Sequence, residues 1–390
     1  MIQTQSFGIN QPTQIHFGVG SINQLSDVVR RLNGSNVFLV ADPGLKQAGI
    51  IRKIGSVLRK KKIPYTLYDK VAPEPGLKLA DQGVKLAKKN KSDCVVGVGG
   101  GSALDVAKAI SILLTNGGRA EDYLGLDKIP LPGVPKIMVP TTAGTGAEVT
   151  FTAVFINEKT NSKGGMNGDP LYPDAAILDP SLTLSLPPGI TAATGIDAFT
   201  HALEAFVSTQ AHTISDMYAM EAMSLISNNL GIAYADGHNL EARSAMLMGS
   251  LLGGKALATA GVGLVHAMAY PLGGMFNTAH GLANAVLLPY VVEYNIIGNP
   301  EKFALIAQIM GYDVEGLPVR EAAQFAVDAI HQLNDDINIP ASLEALNIPS
   351  DKIPEMAEIA LTVTRPVENN PRRPTLDDVI AIYEAAFGGV

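Results

Sequence analysis

The strongest constraint on the fold is an alternation of strand and helix patterns in the first half of the chain. Apolar runs typical of buried strands occur at Val37–Val40, Tyr65–Tyr68, Cys94–Val98 and Ile137–Val139. Helical periodicity fills the intervals, at Ile50–Lys62, Leu77–Asn90 and Ala103–Leu114. This alternation is typical of βαβ units and a parallel sheet, and uninterrupted apolar strands indicate a sheet that is covered on both faces.

The pattern changes near Leu186-Pro187-Pro188, beyond which long helical periodicities such as Ala192–Phe206 and Asp216–Asn229 prevail. The 390 residues are enough for about two domains of ordinary size. We therefore expect an α/β domain over residues 1–185 and an all-helical domain over residues 186–390.

Charge and cysteine content exclude several classes of protein. The chain has 29 Lys and Arg against 37 Asp and Glu, a net charge of −8, whereas a general nucleic-acid binder needs a basic face. The single cysteine, Cys94, excludes an intrachain disulfide framework and a cysteine-rich zinc site. The polar N-terminal segment lacks the pattern of a secretory signal, so we expect a cytoplasmic protein.

One long stretch is almost free of charge: from Ser244 to Val292 the only charged residue is Lys255. A membrane span needs about 20 predominantly apolar residues, but glycines, prolines and histidines interrupt this run. We therefore expect buried helices of a large core rather than a membrane segment.

A glycine turn, Gly99-Gly100-Gly101-Ser102, follows the predicted strand Cys94–Val98 and leads directly into a helix. Glycines let a phosphate approach the backbone closely, and a helix N-terminus offers free N–H groups. Ser102 is a candidate N-cap, with Asp105 at capping-box spacing. Taken alone, the glycines would equally suit a tight strand-to-helix turn that binds nothing.

A second loop with ligand-binding chemistry, Pro140–Glu148, follows another predicted strand and carries Thr141, Thr142 and Thr145. Open α/β sheets bind ligands at the carboxyl ends of their strands, so two such loops favour a ligand-binding site, where the threonines could donate to a ribose or pyrophosphate. Asp42 follows the strand Val37–Val40, where a carboxylate would accept hydrogen bonds from ribose and repel a 2′-phosphate. The alternative is a turn aspartate before Pro43.

Four residues resemble a metal ligand set. His201 follows Asp197 by four residues, so the two side chains share one helix face, and His266 and His280 lie in the nearly uncharged stretch. Three imidazoles and a carboxylate would suit Fe²⁺ or Zn²⁺, although each histidine could instead be an ordinary core residue. His212 lies among polar residues, and we expect it to be exposed.

Motifs along the whole chain resemble those of the iron-containing (group III) alcohol dehydrogenases, which include lactaldehyde–propanediol oxidoreductase and 1,3-propanediol dehydrogenase. The matching segments are Gly99–Ser102 with Asp105 and Lys108, Pro140–Gly146, Asp179-Pro180, Ala193–Asp197 with His201 and Glu204, Gly263–Ala269, Pro271–Gly273, His280-Gly281 and Asn370–Arg372.

The resemblance implies a dinucleotide-binding α/β domain and a helical metal-binding domain of the dehydroquinate synthase-like type, with the active site between them. It implies hydride transfer between NAD and a small alcohol, diol or aldehyde, and a homodimer or an assembly of dimers. The implied metal ligands are Asp197, His201, His266 and His280. The implied cofactor-binding residues are Asp42, Gly99, Gly100, Gly101, Ser102, Thr141, Thr142, Thr145, Lys163 and Leu182.

Three positions depart from the family pattern: Tyr270 and Tyr290 stand where histidines are usual, and Glu74 stands where an asparagine is usual. Tyr270 follows His266 by four residues, so we expect its phenol to position substrate or cofactor rather than to titrate. The alternative is a core tyrosine without a catalytic part.

Two other activities and one non-enzymatic role stay open at this stage. A dehydroquinate synthase-like lyase or a glycerol- or glycerol-phosphate-type dehydrogenase could share the fold, and so could a metal- or nucleotide-binding protein without turnover. A phosphorylated substrate would need several cationic side chains, but only Arg243 and Lys255 lie between Asp197 and His280. This favours a weakly charged substrate.

Overall fold

The computed structural model describes residues 6–157 and 162–388, which form two compact units. The α/β unit spans Gln11–Ser185, and the helical unit spans Leu186–Val390 together with the described residues that precede Gln11.

The α/β unit contains strands β1 to β9 and helices α1 to α5 in its described part. The strands are Gln14–Phe17, Val37–Ala41, Tyr65–Tyr68, Cys94–Gly99, Gly125–Leu126, Lys136–Pro140, Thr152–Asn157, Ser162–Asn167 and Ala175–Leu178. The helices are Leu25–Arg31, Gly44–Gln47, Ile50–Lys60, Leu77–Lys89 and Gly101–Asn116.

Six strands form a parallel sheet in the order β1-β9-β6-β4-β2-β3. Alternate residues of β2 enter different core clusters, Phe38 on the side of α4 and α5 and Leu39 on the side of α1 and α3. Both faces of the sheet are therefore covered, which explains why β2, β4 and β6 are buried along their whole length and, apart from Lys136 at the start of β6, are apolar. The predicted parallel sheet is confirmed.

Two details of this unit differ from expectation or were not predicted. Helix α5 begins at Gly101 with Gly100 as its N-cap and no side-chain cap, so the prediction of a Ser102 cap is wrong. Asp105 instead accepts a hydrogen bond from the Val154 N–H at 2.9 Å. A second sheet, β5-β8-β7, was not predicted, and β7 and β8 form an antiparallel hairpin.

Cys94, at the start of β4, is fully buried, and burial raises the pKa of its thiol.

The described part of the helical unit consists of helices α6 to α15. They are Pro188–Val207, Thr213–Ala235, Leu240–Ala260, Leu264–Phe276, His280–Asn295, Pro300–Ile309, Val319–Asp336, Ile353–Leu361, Thr364–Asn369 and Leu376–Gly388. Helix α6 packs against α7, α8 and α10, and α10 also packs against α9. This packing brings α6, α9 and α10 together.

Within residues 6–157 and 162–388, no single helix has both the length and the apolarity that crossing a membrane requires. Helices α8 and α9, which meet at a bend of 104°, satisfy the length and composition test only as a pair.

Candidate metal centre and cofactor loops

Three helices of the helical unit bring the predicted metal ligands together. Asp197 and His201 lie on α6, His266 lies on α9, and His280 is the first residue of α10. The Nε2 atoms of His201 and His266 lie 3.9 Å, and that of His280 3.8 Å, from Asp197 Oδ1. Metal ligands bind roughly 2.0–2.2 Å from the ion and thus lie at most about 4.4 Å apart. Each imidazole can therefore share one cation with Asp197.

Close helix packing makes this convergence possible. A Cβ atom at Gly281 would collide with the carbonyl of Ala193 and lie 3.3 Å from Asp197 Cβ, so glycine lets the start of α10 approach α6. Asn370 connects α9 and α10. Its Oδ1 accepts hydrogen bonds from the Leu264 N–H at 3.3 Å and from Asn295 Nδ2 at 2.9 Å. The Asn370 motif of the sequence thus connects the start of α9 to the end of α10.

The centre is buried except at His280, whose side chain is 27% exposed, whereas those of the other three candidate ligands are at most 8% exposed. Burial alone would raise the pKa of Asp197, but the three imidazoles and a hydrogen bond from Asn284 outweigh it and lower this pKa. The carboxylate is therefore kept ionised inside the protein. The site can be reached from solvent on its His280 side.

Glu204 is a second buried carboxylate of the centre, to which sequence reasoning assigned no role. Its Oε2 lies 2.5 Å from His266 Nδ1, and its Oε1 accepts the Val265 N–H at 2.6 Å. Burial lowers the pKa of His266, but the charge and hydrogen bond of Glu204 and the charge of Asp197 more than offset this and raise it. With Glu204 accepting the proton of Nδ1, the imidazole presents its Nε2 lone pair to the centre when it is neutral. The signal available in the sequence was a glutamate three residues after His201.

Asn284 is a further polar residue that the sequence did not single out. It lies one turn after His280 on α10, and its Nδ2 donates a hydrogen bond to Asp197 Oδ1 at 2.7 Å. Its position four residues after a candidate ligand was the only available signal.

Tyr270 lies beside the centre, with its ring centroid 6.3 Å from that of His280. Burial and the nearby charge of Glu204 raise the pKa of its phenol. The helix does not end at Pro271 but continues to Phe276, so Tyr270 stays on the face that carries His266.

His212 and Tyr290, two further positions considered in the sequence, both pack against aromatic rings. The prediction that His212 is exposed is wrong: it is buried, caps α7 by accepting the Ser215 N–H, and stacks on Phe7. Tyr290 packs edge-on against His331, with ring centroids 5.7 Å apart.

In the α/β unit, the predicted cofactor loops converge at the carboxyl ends of β2, β4 and β6. Gly99 has φ +143°, and a Cβ there would lie 3.0 Å from Asp42 Oδ2. A Cβ at Gly100 would lie 3.3 Å from Thr142 Oγ1, and one at Gly101 would lie 2.7 Å from Thr145 Cγ2. The glycines therefore let Asp42, the turn and the threonine loop approach one another.

The other predicted cofactor residues have varied surroundings. Thr141 is buried, and its N–H donates to the Gly99 carbonyl at 3.0 Å, while Ser102 lies in the first turn of α5. Lys163 Nζ lies 2.7 Å from Glu74 Oε2, so the departure at Glu74 gives this lysine an ion pair. Leu182 is buried in the core cluster on the side of α1 and α3. Their contact with a cofactor stays a prediction.

Comparison with known proteins adds independent evidence. A model described as iron-containing alcohol dehydrogenase matches residues 12–180, and the model of the C-terminal part of the Fe-containing alcohol dehydrogenase family matches residues 191–387. The long-chain-alcohol dehydrogenase 1 of Geobacillus thermodenitrificans is 42% identical over 381 residues, which are 97% of this chain and 96% of that protein.

Solved structures agree with this match. The crystal structure of 1,3-propanediol oxidoreductase is similar with a TM-score of 0.96 and 40% identity, covering 98% of this chain and 100% of the other. Sulfoacetaldehyde reductase from Bifidobacterium kashiwanohense, in complex with NAD⁺, has a TM-score of 0.88 and 30% identity, covering 97% and 98% of the two chains. The resemblance and the fold class expected from the motifs are confirmed. The chain belongs to the iron-containing alcohol dehydrogenase family.

Proposed function

We propose that this protein is a metal-dependent, NAD(H)-linked alcohol dehydrogenase or aldehyde reductase. Its substrate is a small, weakly charged primary alcohol, diol or aldehyde, and it works as a homodimer or an assembly of dimers. The observation that carries the proposal is the buried cluster of Asp197, His201 and His266, with the partly exposed His280 Nε2 at 3.8 Å from Asp197 Oδ1. The alcohol dehydrogenases among its relatives support the reaction class.

The donor set fits a divalent transition metal. Three imidazoles and one carboxylate, without a thiolate, suit Fe²⁺ and also Zn²⁺, and the family favours Fe²⁺. The four side chains would hold the ion, which when bound supplies Lewis acidity that lowers the pKa of an alcohol or polarises a carbonyl.

The side chains around the donors prepare them for this role. Glu204 at His266 Nδ1 leaves the Nε2 lone pair of the neutral imidazole directed at the centre. His280 lies at the exposed edge, where a substrate can enter. The Tyr270 phenol, whose pKa is raised, positions substrate or cofactor as a hydrogen-bonding group. The proton that the alcohol loses on oxidation leaves through water or a ribose hydroxyl.

The cofactor loops supply the other half of the chemistry. NAD, when bound, exchanges a hydride with the substrate carbon at C4 of its nicotinamide. The turn Gly99–Ser102 at the N-terminus of α5 offers backbone N–H groups to the pyrophosphate, and Thr141, Thr142 and Thr145 offer hydroxyl or backbone donors. Asp42 would bind ribose and repel a 2′-phosphate. Lys163 and Leu182 are assigned to the cofactor by the family pattern.

The positive charges near the metal ligands in sequence have other partners. Arg243 is buried and donates hydrogen bonds to Gly237 O, Thr191 Oγ1 and Leu186 O. Lys255 Nζ lies 5.5 Å from the ring centroid of Tyr218. Arg243 is thus committed to structural bonds, which favours a weakly charged substrate over the phosphorylated, carboxylated substrate of a dehydroquinate synthase-like lyase.

The proposal is tested by following NADH formation with a panel of short alcohols and diols, with and without added Fe²⁺ or Zn²⁺. His280→Ala should lower metal content and turnover together, because it removes a ligand, whereas the exposed His238→Ala should leave both unchanged. A His280→Ala protein with full metal content and wild-type rate would exclude His280 as a ligand. Metal and nucleotide binding without turnover on any substrate would favour the non-enzymatic role.

A further inference from the structure

Glu74 and Lys163 form a short ion pair in the α/β unit. Lys163 Nζ lies 2.7 Å from Glu74 Oε2, and the side chain of Lys163 is 8% exposed while that of Glu74 is 32% exposed. A lysine that is buried to this extent loses most of its hydration, so a carboxylate at this distance stabilises its charge. Asparagine, which is usual at position 74 in the family, has no charge with which to neutralise the lysine. The departure from the family pattern therefore creates this pair.

The backbone around Glu74 is held in a conformation that does not favour glutamate. Glu74 has φ +52°, in the left-handed region that asparagine adopts more readily. The Pro75 carbonyl accepts a hydrogen bond from the Ile156 N–H at 2.9 Å, and Gly76 forms a β-bridge with Ile156. These contacts fix the loop on β7. Local backbone preference thus disfavours glutamate here, and its ion pair with Lys163 is the compensating interaction.

The pair lies near the loops to which we assign the cofactor. The loop that contains Glu74 follows β3, so it starts at the same end of the parallel sheet as the glycine turn. Strand β7 is bound to the start of α5, because the Val154 N–H donates to Asp105 Oδ2 at 2.9 Å. Ile156, which is paired with Lys163 in the hairpin, lies two residues and thus about 7 Å farther along β7. The ion pair is therefore close to the N-terminal end of α5, the proposed pyrophosphate site.

The cofactor is an anion, so the net charge of this pair affects its binding. Charges interact through water over about 8 Å at physiological ionic strength. A lone ammonium near the start of α5 would attract the pyrophosphate over that range, whereas the carboxylate 2.7 Å from the ammonium cancels most of this attraction. Glu74 also engages one N–H of the ammonium that could otherwise bond to the cofactor.

We propose that Glu74 sets the affinity of the cofactor site: by neutralising Lys163, it weakens the binding of NAD(H) relative to a site with an uncharged residue at position 74. This inference rests on the proposed function, which supplies the cofactor. Weaker binding means faster dissociation, because affinity differences between related complexes lie mostly in their dissociation rates. Faster dissociation assists an enzyme that exchanges NADH for NAD⁺ in every turnover, since release of product often limits kcat.

The test measures NADH binding to the full-length protein without substrate, from the change in fluorescence of the reduced nicotinamide. Glu74→Gln removes the charge and keeps the length of the side chain. Glu74→Asn introduces the residue that is usual in the family, which also suits the left-handed backbone. Glu355→Gln is the matched control, because Glu355 Oε2 lies 2.8 Å from Lys352 Nζ but in the helical unit. The Kd of each protein is determined at several NaCl concentrations.

We expect Glu74→Gln to bind NADH about 3–10-fold more tightly than the wild type at low salt, with an advantage that shrinks as NaCl is added. Glu355→Gln should match the wild type at every salt concentration. An unchanged or weaker affinity in Glu74→Gln would overturn the inference. A gain in affinity that is independent of salt would also overturn it, since such a gain would come from the shape of the side chain and not from its charge.

Glu74→Asn decides the matter if circular dichroism shows that Glu74→Gln fails to fold, and the same gain at low salt is expected of it. A wild-type protein that binds neither NADH nor NAD⁺ would overturn the proposed function as well. Wild-type binding of NADH with the same Kd in the Glu74 variants would overturn this inference alone.

Discussion

At the scale of single residues, the candidate ligands were predictable and their supporting partners were not. Asp197 and His201 are four residues apart, a spacing that places two side chains on one helix face. Glu204 and Asn284 act through contacts with residues 62 and 87 positions away, His266 and Asp197. No local periodicity encodes such pairs, because they depend on how α6, α9 and α10 pack.

Cofactor choice is expected to depend on Asp42. Asp42→Gly should raise the efficiency with NADP relative to NAD about 10-fold, because relieving about 1.4 kcal/mol of repulsion between like charges corresponds to that factor. Asp42→Asn should act in the same direction, since it removes the charge and keeps the shape. The measurement is kcat/KM with both cofactors, and an unchanged ratio in both variants would place Asp42 outside the ribose site.

The phenol of Tyr270 is expected to contribute one hydrogen bond to the transition state. Tyr270→Phe deletes only the hydroxyl, so kcat/KM on the best substrate should fall roughly 5–30-fold, the effect of about 1–2 kcal/mol. Tyr290→Phe is the control, because its hydroxyl has no partner among the described residues and its ring packs on His331. Wild-type kcat/KM in Tyr270→Phe would assign Tyr270 to the core.

At the scale of elements, the sequence predicted four of the six strands of the parallel sheet. Strands β2, β3, β4 and β6 carry apolar runs, and their predicted bounds agree with the structure within one residue at either end. The short strands β1, β5 and β9 and the glycine-containing β8 carry too few consecutive β-branched or aromatic residues to stand out. Strand β7 was missed although it contains the run Val154-Phe155-Ile156. The start of α5 was misplaced because Gly100 caps it without a side-chain hydrogen bond.

The contact between α6 and the start of α10 is expected to depend on Gly281. Gly281→Ala places a methyl group against the Ala193 carbonyl, so α10 must shift and carry His280 away from Asp197. We expect metal affinity to fall at least about 10-fold while helix content is preserved, measured by metal titration and circular dichroism.

Gly274 provides the matched control for this substitution, since a Cβ there would meet no atom within 4 Å. Gly274→Ala should leave metal affinity unchanged and add about 0.5–1 kcal/mol of stability, as alanine does in a helix. Unchanged affinity in Gly281→Ala would mean that the centre tolerates a shift of α10.

At the scale of the whole molecule, stability is expected to depend on pH through charges buried in the α/β unit. Lys108 Nζ donates to the carbonyls of Thr150 and Thr152 at 3.0 and 2.9 Å, but Glu148 Oε1 has no hydrogen-bond partner in the described part of the chain. Burial raises the pKa of Glu148 from 4.5 to about 7, although a backbone hydrogen bond and Lys108 oppose this. The folded carboxyl therefore keeps its proton to higher pH than the unfolded one, and stability is lost as pH rises from about 4.5 to about 7.

Glu148→Gln should remove this loss. The free energy of unfolding of the variant minus that of the wild type should increase by up to about 3 kcal/mol between pH 5 and pH 8. Urea denaturation without cofactor, followed by circular dichroism because the chain has no tryptophan, measures the difference. The exposed Glu384→Gln should show no such trend. If the difference in free energy of unfolding between Glu148→Gln and the wild type does not change with pH, Glu148 ionises as an exposed carboxyl does.

The burial of Cys94 gives the protein an internal reporter of its own opening. The only thiol of the chain starts a central strand and is fully buried, so an alkylating reagent in solution cannot reach it while the sheet is intact. Modification therefore has to wait for the α/β unit to open, and under conditions of rapid reclosing its rate is proportional to the population of the open state. The kinetics of labelling one native atom would thus time the unfolding of this unit without any engineered probe.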